Sequence, residues 1–471
     1  MSEKETTSTN TEPNKEEENN NNNNNNKNNN ATTTESTNNA VDEEYEKPGK
    51  SEGLDEFGIQ LEIQQSDPNS PLYSVKNFEE LGLRPELLKG VYAMGYNKPS
   101  KIQEAALPII IQSPNNLIAQ SQSGTGKTAA FTLGMLNCVD PSINAPQAIC
   151  ISPTKELALQ TFEVISKIGQ FSNIKPLLYI SEIEVPKNVT NQVIIGTPGK
   201  ILENVIKKQL SVKFLKMVVL DEADFIVRMK NVPNQIAMIN RLLPHNVKVC
   251  LFSATFSMGV EELIKKIVQD PHTSIRLKRQ ELSVEKIHQY FIDCGSEDNK
   301  ALILSDIYGF ISVGQSIVFV HTIATAKSLH QKMVSEGHSV SLLYGKDLTT
   351  EERFKQIKDF KDGKSKVLIT TNVLARGIDI PQVSLVINYD VPLDETGKPD
   401  PVHYLHRIGR VGRFGRSGVA LSFVHDQQST NKLMNISTHL GVPLKELKAS
   451  EIESLDGILK GIRNQLTPLN N

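Results

Sequence analysis

Two stretches carry residue types at spacings suited to phosphate and divalent-cation chemistry. The first is Ser121 to Thr128, SQSGTGKT, which follows the apolar run LIAQ and precedes the helical pattern AAFTLGML. In a strand-to-helix turn of this kind, glycines let backbone N–H groups close on phosphate oxygens. A lysine offers charge to the outer phosphates and a hydroxyl can ligate Mg2+. Gly124, Gly126, Lys127 and Thr128 supply these parts, and Ser121, Gln122, Ser123 and Thr125 complete the loop. Ser121 stands where the strict pattern has glycine, so the motif is imperfect by one residue. The second stretch is VVLDEADFI, Val218 to Ile226, where an apolar run ends in three carboxylates. Asp221, Glu222 and Asp224 repel one another unless a metal, an ion-pair network or solvent offsets them. Beside a phosphate loop the chemistry expected is phosphoryl transfer with ATP and Mg2+. Asp221 is placed for the metal and Glu222 for orienting or deprotonating the attacking water. Asp224 is expected to tie this loop to another motif.

Such residues work together only if strands deliver them to one edge. Short β-branched runs (NLIAQS, QAICIS, QVIIGT, MVVLDE, KVCLFSA) alternate with segments of helical spacing, and the rhythm restarts after a charged stretch near Arg276 to Lys286 with IHQYFIDC, SIVFVHT, SVSLLYG, KVLITTN, LVINYD and VALSFV. This predicts an α/β protein of two domains, each a parallel sheet flanked by helices, over residues 78–277 and 288–471 with a linker at 278–287. Ligands of such sheets bind at the carboxyl ends of the strands, where both stretches fall.

The composition bounds the rest. Residues 1–50 hold 11 Asp and Glu against 5 Lys and Arg, a net of −6, so the remaining 421 residues carry +3. That part is Asn-, Thr-, Ser- and Glu-rich, with an almost unbroken Asn run from Asn19 to Asn30, and is expected to be a disordered tail. The mildly basic remainder hints at a polyanionic partner. Cys138, Cys150, Cys250 and Cys294 have no metal-ligand spacing and read as reduced core residues of an intracellular protein. Membrane insertion and secretion are not expected, because no apolar run reaches the length of a spanning helix and the N-terminus is polar.

With Asp221-Glu222-Ala223-Asp224, Ser253-Ala254-Thr255 and His406-Arg407-Ile408-Gly409-Arg410 in this order, the chain resembles the DEAD-box RNA helicases from about Phe78 onward. The resemblance implies two RecA-like domains and an RNA-dependent ATPase acting on single-stranded RNA and messenger ribonucleoprotein as a monomer. It makes Gly95 to Gln103 the adenine-reading segment, with Gln103 hydrogen-bonded to the base and Phe78 stacked on it. PTKELA, with Pro153, Thr154 and Lys155, and TPGK, with Thr197, Pro198, Gly199 and Lys200, would contact RNA from the first domain. Thr322, Arg353 and Thr371 would do so from the second. TNVLARGID, Thr371 to Asp379, would be shared between RNA and nucleotide, with Gly377 and Asp379 on the nucleotide side. Arg407 and Arg410 would lie on one face of a helical turn and reach the γ-phosphate across the cleft. Asp224, Ser253, Thr255, His406 and Arg413 would couple the domains.

YDVPLDETGKPDPVHYLHR, Tyr389 to Arg407, carries a polar Gly/Pro insertion that most members lack. With DPNSPLYS and VYAMGYNKPSKIQ, it is similar to the branch of the family that works in mRNA export at the nuclear pore. That likeness implies residence in nucleus and cytoplasm with concentration at the pore, and partners in a cytoplasmic-side nucleoporin and an export factor that uses inositol hexakisphosphate. It also implies a regulatory helix, placed at Leu54 to Gln65, which either restrains the ATPase from the cleft or packs permanently on the first domain. Another RNA process, such as translation initiation, and an RNA-binding clamp with weakened ATPase are the alternatives. The departures are concentrated on the RNA side: no glycine occurs between Gly169 and Gly196, Lys155 stands for an arginine, Asn372 for an aspartate and Val411 for a threonine.

Overall fold

The computed structural model describes residues 61–65, 75–121, 124–277, 287–310, 314–345, 347–372, 380, 382–412 and 417–464. The Asn-rich tail and the stretch 278–286 lie outside them. Two sheets form. The first comprises β1 (Leu61–Gln65), β2 (Asn116–Gln120), β3 (Ala148–Ile151), β4 (Pro176–Tyr179), β5 (Val193–Gly196), β6 (Met217–Leu220), β7 (Lys248–Ser253) and β8 (His272–Leu277), in the order β1-β8-β2-β7-β6-β3-β5-β4. All neighbours are parallel except β1, which runs antiparallel to β8. The second comprises β9 (Ile287–Asp293), β10 (Gln315–Phe319), β11 (Val340–Leu343), β12 (Val367–Thr370), β13 (Val383–Asn388), β14 (Gly418–Val424) and β15 (Lys445–Glu446), in the order β11-β12-β10-β13-β14-β9-β15, parallel throughout.

Strands covered on both faces run largely apolar rather than alternating, as VIIG, MVVL and VSLVIN do, and these three are buried along their whole length. Alternation still sorts them between two cores. Val219 packs with Phe131 and Phe252 on one face, while Val218 and Leu220 pack with Ile201 and Ile236 on the other. Anchored this way, β6 fixes the position of Asp221 immediately beyond its end. The helix Lys127–Cys138 is held at its far end by Arg84, whose guanidinium donates to the carbonyls of Leu136 (2.5 Å) and Val139 (3.3 Å) left unpaired by the last turn.

One expected element is corrected. The regulatory helix placed at Leu54 to Gln65 is a strand where it is described: Leu61–Gln65 pairs with Thr273–Leu277 as an edge strand of the first sheet. Its sequence LEIQQ puts Leu61 and Ile63 at a spacing of two, the period of a strand, and the outer edge of β8 offers backbone partners. Residues 54–60 lie outside the described residues. Arg276, at the start of the expected charged stretch, lies within β8, paired with Glu261 at 2.8 Å and set over the Phe256 ring at 4.9 Å.

Candidate nucleotide site and lobe interface

β2 leads into the phosphate loop and the helix Lys127–Cys138 leaves it. Gly124 and Gly126 adopt φ of 81° and 97°, the left-handed region that glycine enters without strain. A Cβ on Gly126 would meet Gln103 Nε2 at 2.6 Å, so the loop is also pressed against its neighbour. Gln103 Nε2 donates to the Gly126 carbonyl at 3.0 Å, Ser100 N donates to Gln103 Oε1 at 3.0 Å, and Ser100 Oγ donates to the Thr125 carbonyl at 2.7 Å. The segment expected to read adenine therefore clamps the loop as well, leaving one amide hydrogen and one lone pair on Gln103 for a ligand. Ser121 bonds Thr125 through their hydroxyls, and its N–H donates to the Ser253 carbonyl at 3.0 Å. Gln122 and Ser123 lie outside the described residues.

Lys127 opens the helix with its side chain buried, and Nζ has no hydrogen-bond partner among the described residues. It lies 3.8 Å from Glu222 Oε1. Glu222 adopts φ 52° and ψ 53°, a left-handed turn that is strained for a side-chain-bearing residue. Its Oε2 is likewise without a partner among the described residues. Asp221 Oδ1 accepts from the Glu222 N–H at 3.0 Å. Burial, followed by the neighbouring Glu222 charge, pushes the Asp221 carboxyl up to about 7 despite Lys127. An excess of buried negative charge opposite a loop rich in N–H donors is an arrangement that a cation stabilises.

Asp224 reaches the second lobe. Its N–H donates to Ser253 Oγ (3.1 Å), while its Oδ2 accepts from Thr255 Oγ1 (3.0 Å) and lies 3.0 Å from His406 Nε2. Both sheets belong to one unit, Asp55–Asn471, and this is one of several links between them. Arg228 Nη1 reaches Asp400 Oδ2 at 2.5 Å, Lys361 Nζ reaches Glu163 Oε2 at 3.5 Å, and Arg353 forms a buried ion pair with Glu156. Asp400 also caps the helix Pro401–Ile408 through the N–H groups of Val402 and His403, both at 3.0 Å. The Asp-Pro step announces that cap in the sequence, but nothing in the sequence marks Arg228 as the counterpart of Asp400, or Glu156 as that of Arg353, across the cleft.

Three residues expected to contact ligands meet protein groups. Arg407 does not face the cleft. It is 0% exposed, donating to Asn388 Oδ1 (3.3 Å), the Asp390 carbonyl (2.7 Å) and Asn372 Oδ1 (2.6 Å), with its guanidinium 5.1 Å from the Phe319 ring. The helix ends at Ile408, so Arg407 and Arg410 do not share a helical face; Arg410 follows in the turn, with Nε on the His406 carbonyl at 3.0 Å. Phe78 is enclosed in the first core, its ring edge-on to Tyr92 at 6.5 Å, and presents no open face to a base. Arg353, expected on RNA, spends its charge on Glu156, a buried carboxylate that needs a partner.

The other expected RNA positions cluster at helix starts beyond strand ends. Thr154 and Thr322 cap their helices through the N–H groups of Leu157 and Thr325, Thr197 and Pro198 open the helix Pro198–Ile206, and Thr371 follows β12. Pro153 sits in the turn before Thr154, Gly199 is exposed, and Lys200 lies 3.8 Å from Glu203. Lys155 is ion-paired with Glu182 in the glycine-free segment. Gly377, Asp379 and Arg413 lie outside the described residues.

The DEAD/DEAH box helicase pattern matches residues 100–263, and the helicase conserved C-terminal domain matches residues 299–415. The ATP-dependent RNA helicase ddx19 of Dictyostelium discoideum is 97% identical over 433 residues, 92% of this chain and 93% of that protein. The chain belongs to the DEAD-box RNA helicase family. As such it is an ATP-dependent RNA helicase built from two RecA-like domains. Among solved DEAD-box structures, Saccharomyces cerevisiae Dbp5 bound to RNA and ADP-BeF3 superposes with a TM-score of 0.79 at 48% identity, covering 82% of this chain and all of that one. A Dbp5 variant bound to Nup159, a Gle1 variant, IP6 and ADP gives a TM-score of 0.61 at 46% identity, covering 81% of this chain and all of that one. No helix among the described residues is long and apolar enough to cross a membrane.

Proposed function

We propose that this helicase remodels messenger ribonucleoprotein during mRNA export at the nuclear pore. Its partners would be RNA, a nucleoporin of the Nup159 kind and a Gle1-type factor with inositol hexakisphosphate. The observation that carries this is likeness to Dbp5, at 46–48% identity over more than four fifths of the chain, in complexes holding those partners. Residence in nucleus and cytoplasm, with concentration at the pore, goes with it.

The geometry of the site supports a set of hydrolytic roles. Mg2+ suits it, because an acidic strand end faces a phosphate loop whose buried Lys127 Nζ lacks a partner among the described residues. Asp221 and Thr128 would hold the ion, which neutralises phosphate charge. Lys127 and the loop of Ser121 to Thr128 bind the phosphates, Gln103 hydrogen-bonds the base, and Glu222 positions and takes a proton from the attacking water. Arg410 rather than Arg407 serves as the arginine finger, since Arg407 is committed inside its own lobe. Asp379, Gly377 and Arg413 complete the nucleotide side from the second lobe. RNA binds along Pro153, Thr154, Lys155, Thr197 to Lys200, Thr322 and Thr371, by loops and helix N-termini that meet sugar and phosphate rather than base edges. Because the lobes contribute different parts, closure assembles the site.

Binding of the purified chain to a Nup159-type nucleoporin fragment, and to Gle1 with and without inositol hexakisphosphate, tests the assignment. Specific binding of both, with Gle1 binding strengthened by the inositol phosphate, is expected. Failure of both would remove export while leaving the helicase.

A further inference from the structure

We propose that Glu222, Asp224 and His406 form an inhibitory site for a divalent transition metal of the Zn2+ class, completed only when the two lobes meet. One ligand atom from each residue lies within 4.8 Å of the others, and all three residues are buried. Asp224 Oδ2 and His406 Nε2 are already 3.0 Å apart, near the separation of two atoms each bound about 2.0–2.2 Å from one tetrahedral ion. Glu222 is 3% exposed with Oε2 unpartnered among the described residues, a buried carboxylate oxygen with its lone pairs unspent. The carboxylates of Asp221, Glu222 and Asp224 stand within four residues, so a cation here meets negative charge, with Lys127 Nζ 3.8 Å from Glu222 Oε1.

Ligand type separates this site from the Mg2+ position. Mg2+ demands an octahedron of oxygens and keeps its water, whereas Zn2+ and Co2+ take imidazole with carboxylates in four-coordination. Thr255 Oγ1, donating to Asp224 Oδ2 at 3.0 Å, orients one ligand from behind, as outer partners of metal sites do. A metal held here joins Asp224 of the first lobe to His406 of the second and takes the Glu222 carboxylate. The lobes are then pinned together while the water-positioning group is occupied. The binding claim is independent of the proposed hydrolytic role of Glu222; the inhibition rests on it.

The test is metal binding by the full chain in Mg2+ buffer, read by competition with a chromophoric chelator for Zn2+ and by the visible d–d bands of Co2+. One equivalent with tetrahedral Co2+ bands is expected for the wild type and for His272→Asn, with loss in His406→Asn and Asp224→Asn chains whose circular dichroism is unchanged. Absence of stoichiometric binding, binding that survives His406→Asn, or thiolate charge-transfer bands would overturn the site. In the same samples ATP turnover should fall at least about 10²-fold once the site fills, the scale of losing one proton-transfer group. Bound metal with undiminished turnover would overturn the inhibition and, with it, the hydrolytic role of Glu222.

Discussion

His406 Nε2 lies 3.0 Å from Asp224 Oδ2, both side chains buried, so the last carboxylate of the acidic strand end is held by the opposite lobe. Ser253 and Thr255 bind the same aspartate from within the first lobe. Asp224 thus has partners in both lobes, two positions from Glu222, the group proposed to meet water.

Breaking that link should uncouple closure from hydrolysis. His406→Ala is expected to lower RNA-stimulated turnover roughly 10–100-fold, the scale of an ångström-sized misplacement, with nucleotide affinity nearly unchanged. Steady-state kinetics with equilibrium nucleotide binding check this; a parallel loss of affinity would place His406 in binding instead.

The two arginines should separate by phenotype. Arg407→Ala strips donors from Asn372, Asn388 and the Asp390 carbonyl and leaves a void beside Phe319, so a loss of about 2–5 kcal/mol in unfolding free energy is expected. Arg410→Ala should instead cost about 10³-fold in turnover, as arginine fingers do. Thermal melts and ATPase rates of both variants decide it, and a reversal of the two would return Arg407 to the cleft.

The Arg228–Asp400 pair predicts an acid limit. Burial alone would raise the Asp400 carboxyl, yet the His403 ring, its backbone N–H and the Arg228 guanidinium hold it well below the usual carboxylate range. A depressed value stabilises the fold at pH above about 3.9, the unfolded value, and the contribution disappears as pH falls through the folded value. Asp400→Asn, which can still cap its helix, should therefore cost about 1–3 kcal/mol at pH 7 and progressively less as pH falls below about 3.9. Urea titrations across pH show whether the gap closes in acid; a pH-independent gap would contradict the ionic account.

Deleting residues 1–66 removes the edge strand Leu61–Gln65. Lower stability of the first lobe with an unchanged RNA-free ATPase is expected. A rise in basal rate would show that this segment restrains the enzyme.

Much of this was legible because parallel sheets write themselves plainly. Within QVIIGT, MVVLDE and KVLITTN the strands VIIG, MVVL and VLIT are buried at every position, and just beyond them stand Thr197, Asp221 and Thr371. The strands that escaped sequence reading were short or polar: PLLY begins with proline, HTSIRL alternates weakly, and LEIQQ pairs at an edge where little burial is demanded. At the site, the phosphate loop and acidic strand end were readable as local patterns. The partners of Arg407, Arg353 and Arg228 were not, since an arginine's spacing says nothing of which distant carboxylate or carbonyl it will meet. Phe78 shows the same limit, because a stacking aromatic and a core aromatic look alike in sequence.

The central claim is that Lys127 and Glu222 in one lobe hydrolyse ATP when RNA draws the other lobe onto them. Steady-state ATP hydrolysis by the purified chain, with and without single-stranded RNA and with Glu222→Gln as the blank, tests it directly. Strong RNA stimulation in the wild type, with about 10²–10⁴-fold less turnover in Glu222→Gln and nucleotide binding retained, is the predicted result. Turnover indifferent to RNA, or undiminished in Glu222→Gln, would contradict it.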